Sequence, residues 1–341
     1  MAGRPSPTIV EVAKRAGVSK SLVSLALRGA PNVSAASREA ILAAAAELGY
    51  RPNAVARSLV SQRSFTLGVM VSDLSNPFFT EVVEGIEEAA LEAEYRALIN
   101  TGRRLPARES IALNTLLEHR TDGLILAGTV ISDEEIETAG RAVPTVLATR
   151  KIRSQVVDNV TNDDRLGAMM AVDHLVELGH HRIAHVTGGS GAGAQSRLKG
   201  YMDAMKKRGL GSNIQVADGS YTESGGSEGA TSLLNERDTP TAIFAPNDLA
   251  ALGALHVVES AGFDVPGDVS LIGYDDIALA GYQHINLTTI HQPQREIGHR
   301  AVELLLERIR SGRTTPRRIL TKPKLVVRAT TGPVRRHNRR L

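Results

Sequence analysis

From Thr66 to about residue 311, short apolar runs alternate with amphipathic stretches. No other feature of the sequence restricts the fold as tightly. Strand patterns over residues 66–71, 96–99, 123–126 and 144–147 are separated by helical periodicity over 78–93, 107–118 and 133–140. A second series has helices over 165–178, 194–208, 224–235, 248–261 and 295–311, with strands over 182–187, 241–244 and 269–273. Strands joined through helices must run parallel, with right-handed crossovers. Two such series predict two Rossmann-like α/β lobes with a cleft between them.

The first 63 residues are of a different kind. They hold nine Lys/Arg against three Glu, whereas residues 64–312 hold 21 basic and 34 acidic residues. A net charge of +3 at pH 7 therefore hides a basic module and an acidic body. Such a partition points to a polyanion partner for the N-terminal module. From Arg313 to the end there are ten Lys/Arg and no acid, read as a solvated tail. With no cysteine, disulfides and thiolate chemistry are excluded. No signal peptide and no apolar run of about 18 residues are found, so a soluble cytoplasmic protein is expected.

Within the basic module, Thr8 and Glu11 form a capping-box pattern opening a helix to about Ala16. That helix is expected to bury Ile9, Val12, Ala13 and Ala16. Gly17-Val18-Ser19 is a tight turn, and Ser19 caps a second helix to about Leu27. Ser34 caps a third, with Ile41, Leu42, Ala45 and Leu48 on one side and Gly49 as its stop. Helix, short glycine turn, helix is the helix-turn-helix pattern, whose second helix enters the DNA major groove. Leu22, Val23, Ala26 and Leu27 are expected inside, with Lys20, Ser21, Ser24, Leu25 and Arg28 facing out. Pro52 then interrupts the chain, and Asn53 can cap a short helix over Ala54 to Leu59. So brief a helix is marginal alone and needs a packing partner.

The spacing of Gly17-Val18-Ser19, Val23-Ser24, Gly29, Val33-Ser34, Leu48-Gly49-Tyr50-Arg51-Pro52-Asn53 and Ala56-Arg57-Ser58-Leu59 resembles the headpiece of the lac-repressor (LacI/GalR) family. The resemblance implies a homodimer on a palindromic operator, with paired hinge helices in the central minor groove. Each would wedge the leucine matching Leu59 into a base step, as apolar side chains that unstack DNA do. DNA contacts are thereby expected from Thr8, Ser19, Lys20, Ser21, Ser24, Leu25, Arg28, Asn53, Ala56, Arg57 and Leu59. The family commonly has Thr at Leu22 and Arg at Leu25. A leucine offers thymine-methyl contact, not the bidentate guanine contact of arginine, so the usual half-site does not carry over.

The body is similar to the family's effector domain, which has the type I periplasmic-binding-protein fold. Carrying the likeness are Asp73-Leu74-Ser75-Asn76-Pro77-Phe78-Phe79, Ser196-Arg197, Asn247-Asp248, Gly273-Tyr274-Asp275-Asp276 and Gln292-Pro293, among others. Arg197, Asn247 and Asp275 each stand near the C-terminal end of an expected strand, where α/β sheets bind ligands. The resemblance implies that these three contact a sugar-like effector. Ser72, Asp73, Phe78 and Phe79 would face them, Tyr221 would supply a stacking face, and Gln292 would sit at a lobe crossover. At the fourth strand the family often reads Val-Asp-Arg, and here Ala148-Thr149-Arg150 stands, which leaves ligand identity open.

The expected domains are therefore a headpiece over 1–51, a hinge over 52–63, an effector and dimerisation domain over 64–331 and a tail over 332–341. Residues 333–341 have no heptads, so a dimer is expected and not a tetramer. The glycine run over 188–193 lacks dinucleotide spacing. His180, His181 and His185 have no completing ligands, so no metal is expected and helix capping with surface exposure accounts for them. No catalytic constellation and no cofactor motif are found, so an enzyme is not expected. The expected function is a transcription regulator, a repressor in type, switched by a small ligand; a protein co-effector, or an enzyme carrying a helix-turn-helix, are the alternatives. Leu59→Ala is expected to weaken specific operator binding at least tenfold while sparing non-specific binding. An operator titration with unchanged affinity would reject that role.

Overall fold

The computed structural model describes residues 7–27, 30–50 and 63–335. The chain forms two compact units, Met1–Ser64 and Phe65–Leu341. The hinge residues Asn53, Ala56, Arg57 and Leu59, and Arg28, lie outside the described residues.

In the first unit, α1 (Ile9–Ala16), α2 (Lys20–Leu27) and α3 (Ala35–Leu48) enclose a small core. Thr8 and Glu11 make the reciprocal capping box, with the Thr8 amide donating to Glu11 Oε2 at 2.6 Å. Gly17 takes the left-handed conformation that ends α1, at φ 66°. Ser19 Oγ accepts from the Leu22 amide at 3.2 Å and so caps α2. Val12, Ala13, Val23, Ala26, Val33, Ile41, Ala44 and Ala45 are buried together. Ile9, Ala16, Leu22 and Leu27 are only half-buried. Leu42 is a correction: it is 50% exposed, because the inward stripe of α3 runs 41, 44, 45, 48 and position 42 is turned away from it.

The second unit is two sheets wrapped by helices. The first has the order β11-β5-β4-β3-β1-β2 and is wholly parallel. Its strands are β1 (Thr66–Val71), β2 (Arg96–Thr101), β3 (Gly123–Ala127), β4 (Thr145–Ala148), β5 (Asp158–Asn162) and β11 (Arg318–Thr321). The second has the order β12-β10-β9-β8-β6-β7, parallel except where β12 meets β10. It holds β6 (Ile183–Val186), β7 (Gln215–Ala217), β8 (Ala242–Phe244), β9 (Ser270–Asp275), β10 (Thr288–His291) and β12 (Lys324–Val326). Central strands are buried on both faces, as sheets covered by helices on each side require.

Eight helices connect these strands: α4 (Pro77–Glu92), α5 (Pro106–Glu118), α6 (Asp133–Ala142), α7 (Asp164–Glu177), α8 (Ala194–Lys207), α9 (Glu223–Leu234), α10 (Asp248–Ser260) and α11 (Gln294–Ser311). The chain passes between the lobes after β5, after β10 and after β11. The first and the last of these crossings are tied to each other. The Asp163 amide donates to Thr321 O at 3.0 Å, and Thr321 Oγ1 donates to Asn162 Oδ1 at 3.2 Å.

Five strands, β5, β7, β10, β11 and β12, form where no strand was expected. Gly332, Val334 and Arg335 also depart from expectation. The Gly332 amide donates to Ser270 Oγ at 3.1 Å, Val334 to Leu178 O at 3.1 Å, and Arg335 pairs with Asp264 at 2.8 Å. The basic C-terminal stretch is therefore built into the body as far as Arg335, with β11 in the first lobe and β12 and residues 332–335 on the second, and is not a solvated tail there. His180 and His185 are likewise buried, contrary to the surface reading; His181 is exposed.

Helices α9 and α10 approach so closely that side chains are excluded at their contact. A Cβ on Gly226 would stand 1.9 Å from Ala250 O, and one on Gly253 would stand 1.9 Å from Glu223 O. Gly226→Val should lower stability by about 1–3 kcal/mol or more through overpacking. The check is a fall in the urea midpoint of the effector-domain transition with an unchanged slope.

Candidate functional site

All nine residues expected at the effector site line one cleft between the two lobes: Ser72, Asp73, Phe78, Phe79, Arg197, Tyr221, Asn247, Asp275 and Gln292. The topology explains why. In the first sheet the chain runs from β1 out to β2 and then back to β3 on the other side. The second sheet repeats this with β6, β7 and β8. At such a reversal the loops leaving neighbouring strands diverge and open a crevice at their C-terminal ends. Ser72 and Asp73 leave β1, and Gly191 and Ala192 follow β6. Asn247 follows β8, and Asp275 ends β9.

Arg197, in the first turn of α8, organises the second-lobe wall and is buried. Its Nε donates to Asp164 Oδ1 at 2.9 Å and Nη1 to Pro246 O at 2.5 Å, while Asp275 Oδ1 stands 3.8 Å away. Its guanidinium carbon lies 3.7 Å from the Tyr274 ring centre and 5.3 Å from that of Tyr221. Gln292 Nε2 donates to Asp275 Oδ1 at 2.6 Å, and Gln294 Nε2 to the Asp275 carbonyl at 2.5 Å. Asn247 caps α10, accepting from the Ala250 amide at 2.9 Å, and its Nδ2 donates to Tyr221 O at 3.3 Å. Tyr221 is fixed at its far end by donating to Ala192 O at 2.7 Å. A Cβ on Gly191 would fall 2.3 Å from the Tyr221 ring, so the glycine run makes room for this aromatic face.

The first-lobe wall sets two aromatic rings among polar residues. Phe78 and Phe79 meet edge to face with centres 5.1 Å apart. Behind them, Ser72 Oγ donates to the buried Glu109, which also accepts from Thr129 Oγ1 and the Val130 amide. Sequence reasoning named neither Arg104 nor Glu109, and it named Thr149 only as a departure from the family pattern. Arg104 and Thr149 line the cleft, one just past β2 and the other just past β4. Their placement at strand ends was the available signal, but β2 runs two residues further than the sequence suggested.

Burial dominates the ionisation of the acids. It pushes the carboxyls of Asp164, Asp248 and Asp275 up, with Arg197 opposing the shift at Asp164 and Asp275. Asp275 reaches about 7. The cavity left among the lining side chains is about 50 Å³, room for a few waters. A sugar-sized ligand enters only as the lobes part or these side chains move.

In the N-terminal unit, Lys20 and Ser21 of α2 are exposed, whereas Ser24 and Leu25 are half-buried. Leu25 packs against the three-helix core, so the expectation of a fully outward side chain is corrected: only its flank is free. Thr8 and Ser19 are exposed, and both serve as helix caps. Among the described residues no group of three or more His, Asp or Glu is placed to hold a metal. His180 instead bonds Thr241 and Gly332, and His185 stacks on Phe244 with ring centres 4.6 Å apart.

Residues 8–53 match the family described as bacterial regulatory proteins, lacI family, and residues 172–331 match a periplasmic binding protein-like domain. The HTH-type transcriptional repressor PurR of Photobacterium profundum is 36% identical over 326 residues, covering 94% of this chain and 97% of that protein. This chain belongs to the lacI family. It is similar in fold to a chain of the lac repressor dimer bound to operator and the anti-inducer ONPF, with a TM-score of 0.85 and 30% identity over 96% of this chain and all of that one. A transcriptional regulator CelR–cellobiose complex is also similar, with a TM-score of 0.71 and 30% identity, covering 95% of this chain and 99% of that chain. As a lacI-family regulator the chain is a DNA-binding transcription regulator controlled by a small ligand.

An acid whose folded pKa is raised favours the folded state when protonated. The Asp275 contribution is therefore fully present below its unfolded pKa of about 4 and is lost as pH rises through about 7. Asp275→Asn should flatten the loss of stability between pH 5 and pH 8 relative to the parent, read from urea midpoints across that range.

Proposed function

We propose that this regulator is a cytoplasmic, homodimeric repressor, not an enzyme, whose small effector is sugar-like and binds between the two lobes. One observation carries the effector assignment: Ser72, Asp73, Phe78 and Phe79 from one lobe and Arg197, Tyr221, Asn247 and Asp275 from the other line the same cleft. Gln292 stands at a crossing between the lobes and is bonded to Asp275, joining the cleft wall to that crossing. Faces of Phe79 and Tyr221 suit the C–H surface of a sugar ring, and the amide and carboxyl groups suit its hydroxyls. The cellobiose bound by the CelR complex is ligand chemistry of this kind.

Switching follows from differential affinity. A ligand that binds one lobe arrangement better than another shifts the population toward it by that difference. On the DNA side, Lys20, Ser21, Ser24 and Leu25 would read or position the major groove, with Thr8, Ser19 and Arg28 at its edge. Asn53, Ala56, Arg57 and Leu59 would act in the minor groove. Localisation in the cytoplasm is consistent with DNA as the partner, and no helix among the described residues is long and apolar enough to cross a membrane.

Mapping the bound DNA genome-wide yields the operator and, from neighbouring genes, candidate effectors. With that operator in a fluorescence titration, Phe79→Ala should bind DNA as the parent does, within about twofold, and lose at least tenfold in effector sensitivity. Equal effector response in parent and variant would remove the cleft from the mechanism.

A further inference from the structure

We propose that the effector carries an anionic group, a phosphate or a carboxylate, received by Arg104 on the first-lobe wall. This rests on the reading of the cleft as the effector site and names the ligand's charge class. Arg104 lines the cleft and is half-buried. Its backbone is fixed, with its amide donating to Ser72 O at 2.9 Å, and it holds a left-handed φ of 59° beside Arg103 at 52°. Its guanidinium nonetheless makes no hydrogen bond or ion pair among the described residues.

The other charges of the region are committed. Arg197 is spent on Asp164 and Pro246 O. Arg150, just past β4, donates to Thr129 O and Ile131 O and pairs with Asp133 at 2.5 Å. Of the two carboxylates lining the cleft, Asp73 accepts from the Ser75 amide and hydroxyl, and Asp275 accepts from Gln292. Neither comes within ion-pair distance of Arg104. On the same wall the Thr149 hydroxyl is buried with no partner. The positive field of Arg104 extends across to the Tyr221 phenol on the opposite lobe. The first-lobe wall thus holds a guanidinium without a counter-charge, beside Thr149, which lines the same cleft. A guanidinium is a planar fork of donors that matches two oxygens of a phosphate or carboxylate, and it gains about twofold over a neutral hydrogen bond. A neutral polyol leaves that fork without a counter-charge.

Full-length protein is tested by thermal shift against glucose, glucose 6-phosphate and gluconate, ribose and ribose 5-phosphate, and inorganic phosphate alone. The expected result is that an anionic sugar raises the melting temperature while its neutral parent at equal concentration does not. The phosphate and carboxylate arms separate the two anion types. Arg104→Gln should weaken the anionic ligand at least tenfold, Arg104→Lys should recover part of that loss, and neither should change ligand-free operator affinity. Should neutral sugars bind as tightly as their anionic partners, with Arg104→Gln without effect, the anion proposal is overturned while the cleft reading stands. If no compound of either kind shifts the melting temperature or operator affinity, both are overturned.

Discussion

Arg197 holds together what the two lobes need in order to act as one device. It is a buried cation between Asp164, at the crossing out of β5, and Asp275, at the end of β9. Taking such charges out of water costs several kcal/mol per ion, so the cluster is a weak source of stability. Its value is positional. Removing one member would leave an uncompensated buried charge, at about 3–5 kcal/mol, and so the arrangement resists drift. Burial lowers the ionisation of Asp164 and Asp275, and Arg197 offsets only part of that. Tyr274 stacks under the guanidinium, and its hydroxyl accepts from Asn162 Nδ2 at 2.9 Å. The cleft wall and the interlobe crossing therefore share side chains.

That sharing gives lobe motion a route to the cleft. Asp275 accepts from Gln292 through its carboxylate and from Gln294 through its carbonyl, and both donors belong to the crossing that follows β10. A change of lobe angle must alter the path between β10 and α11. It must then alter the bonds of a residue that faces the cleft. Helix α11 returns to pack along α4, whose first turn carries Phe78 and Phe79. The physical coupling runs through packed helices and hydrogen bonds on both sides, with no need for a flexible element between.

Much of this was legible in the sequence because the chemistry is local. Capping at Thr8 and Glu11, the glycine stop at Gly17 and the apolar strand Thr66–Val71 each depend on residues a few positions apart. Strand β5 was not legible for the opposite reason. Asp158-Asn159-Val160-Thr161-Asn162 reads as a polar loop, yet all five are buried. Asp158 is satisfied by Arg313 at 2.8 Å and by the Arg317 amide at 2.6 Å, partners more than 150 positions away. β10, Thr288–His291, is hidden in the same way, its threonines bonded to Asp248, Thr330 and Thr331. His180 and His185 look like surface residues until the Thr241, Gly332 and Phe244 partners are in place. Arg104 was missed because its importance lies in what it does not touch, and no local pattern reports that.

The backbone cost of the cleft is concentrated where its lining side chains emerge. Arg103 and Arg104 after β2, Thr149 after β4, and Asp275 and Asp276 at the end of β9 all have positive φ, Asp275 at 119°. Each such residue costs on the order of 1–3 kcal/mol relative to a relaxed conformation, more for the β-branched threonine. Glycine would remove the strain, but it would also remove the donor or carboxylate at that position. Each of these turns instead redirects the chain at a strand's C-terminal end, and from each one residue, Arg104, Thr149 or Asp275, lines the crevice. Three such turns from two different sheets converge on one space. The sheets supply enough buried apolar surface to hold them there, and the site is preorganised at their expense.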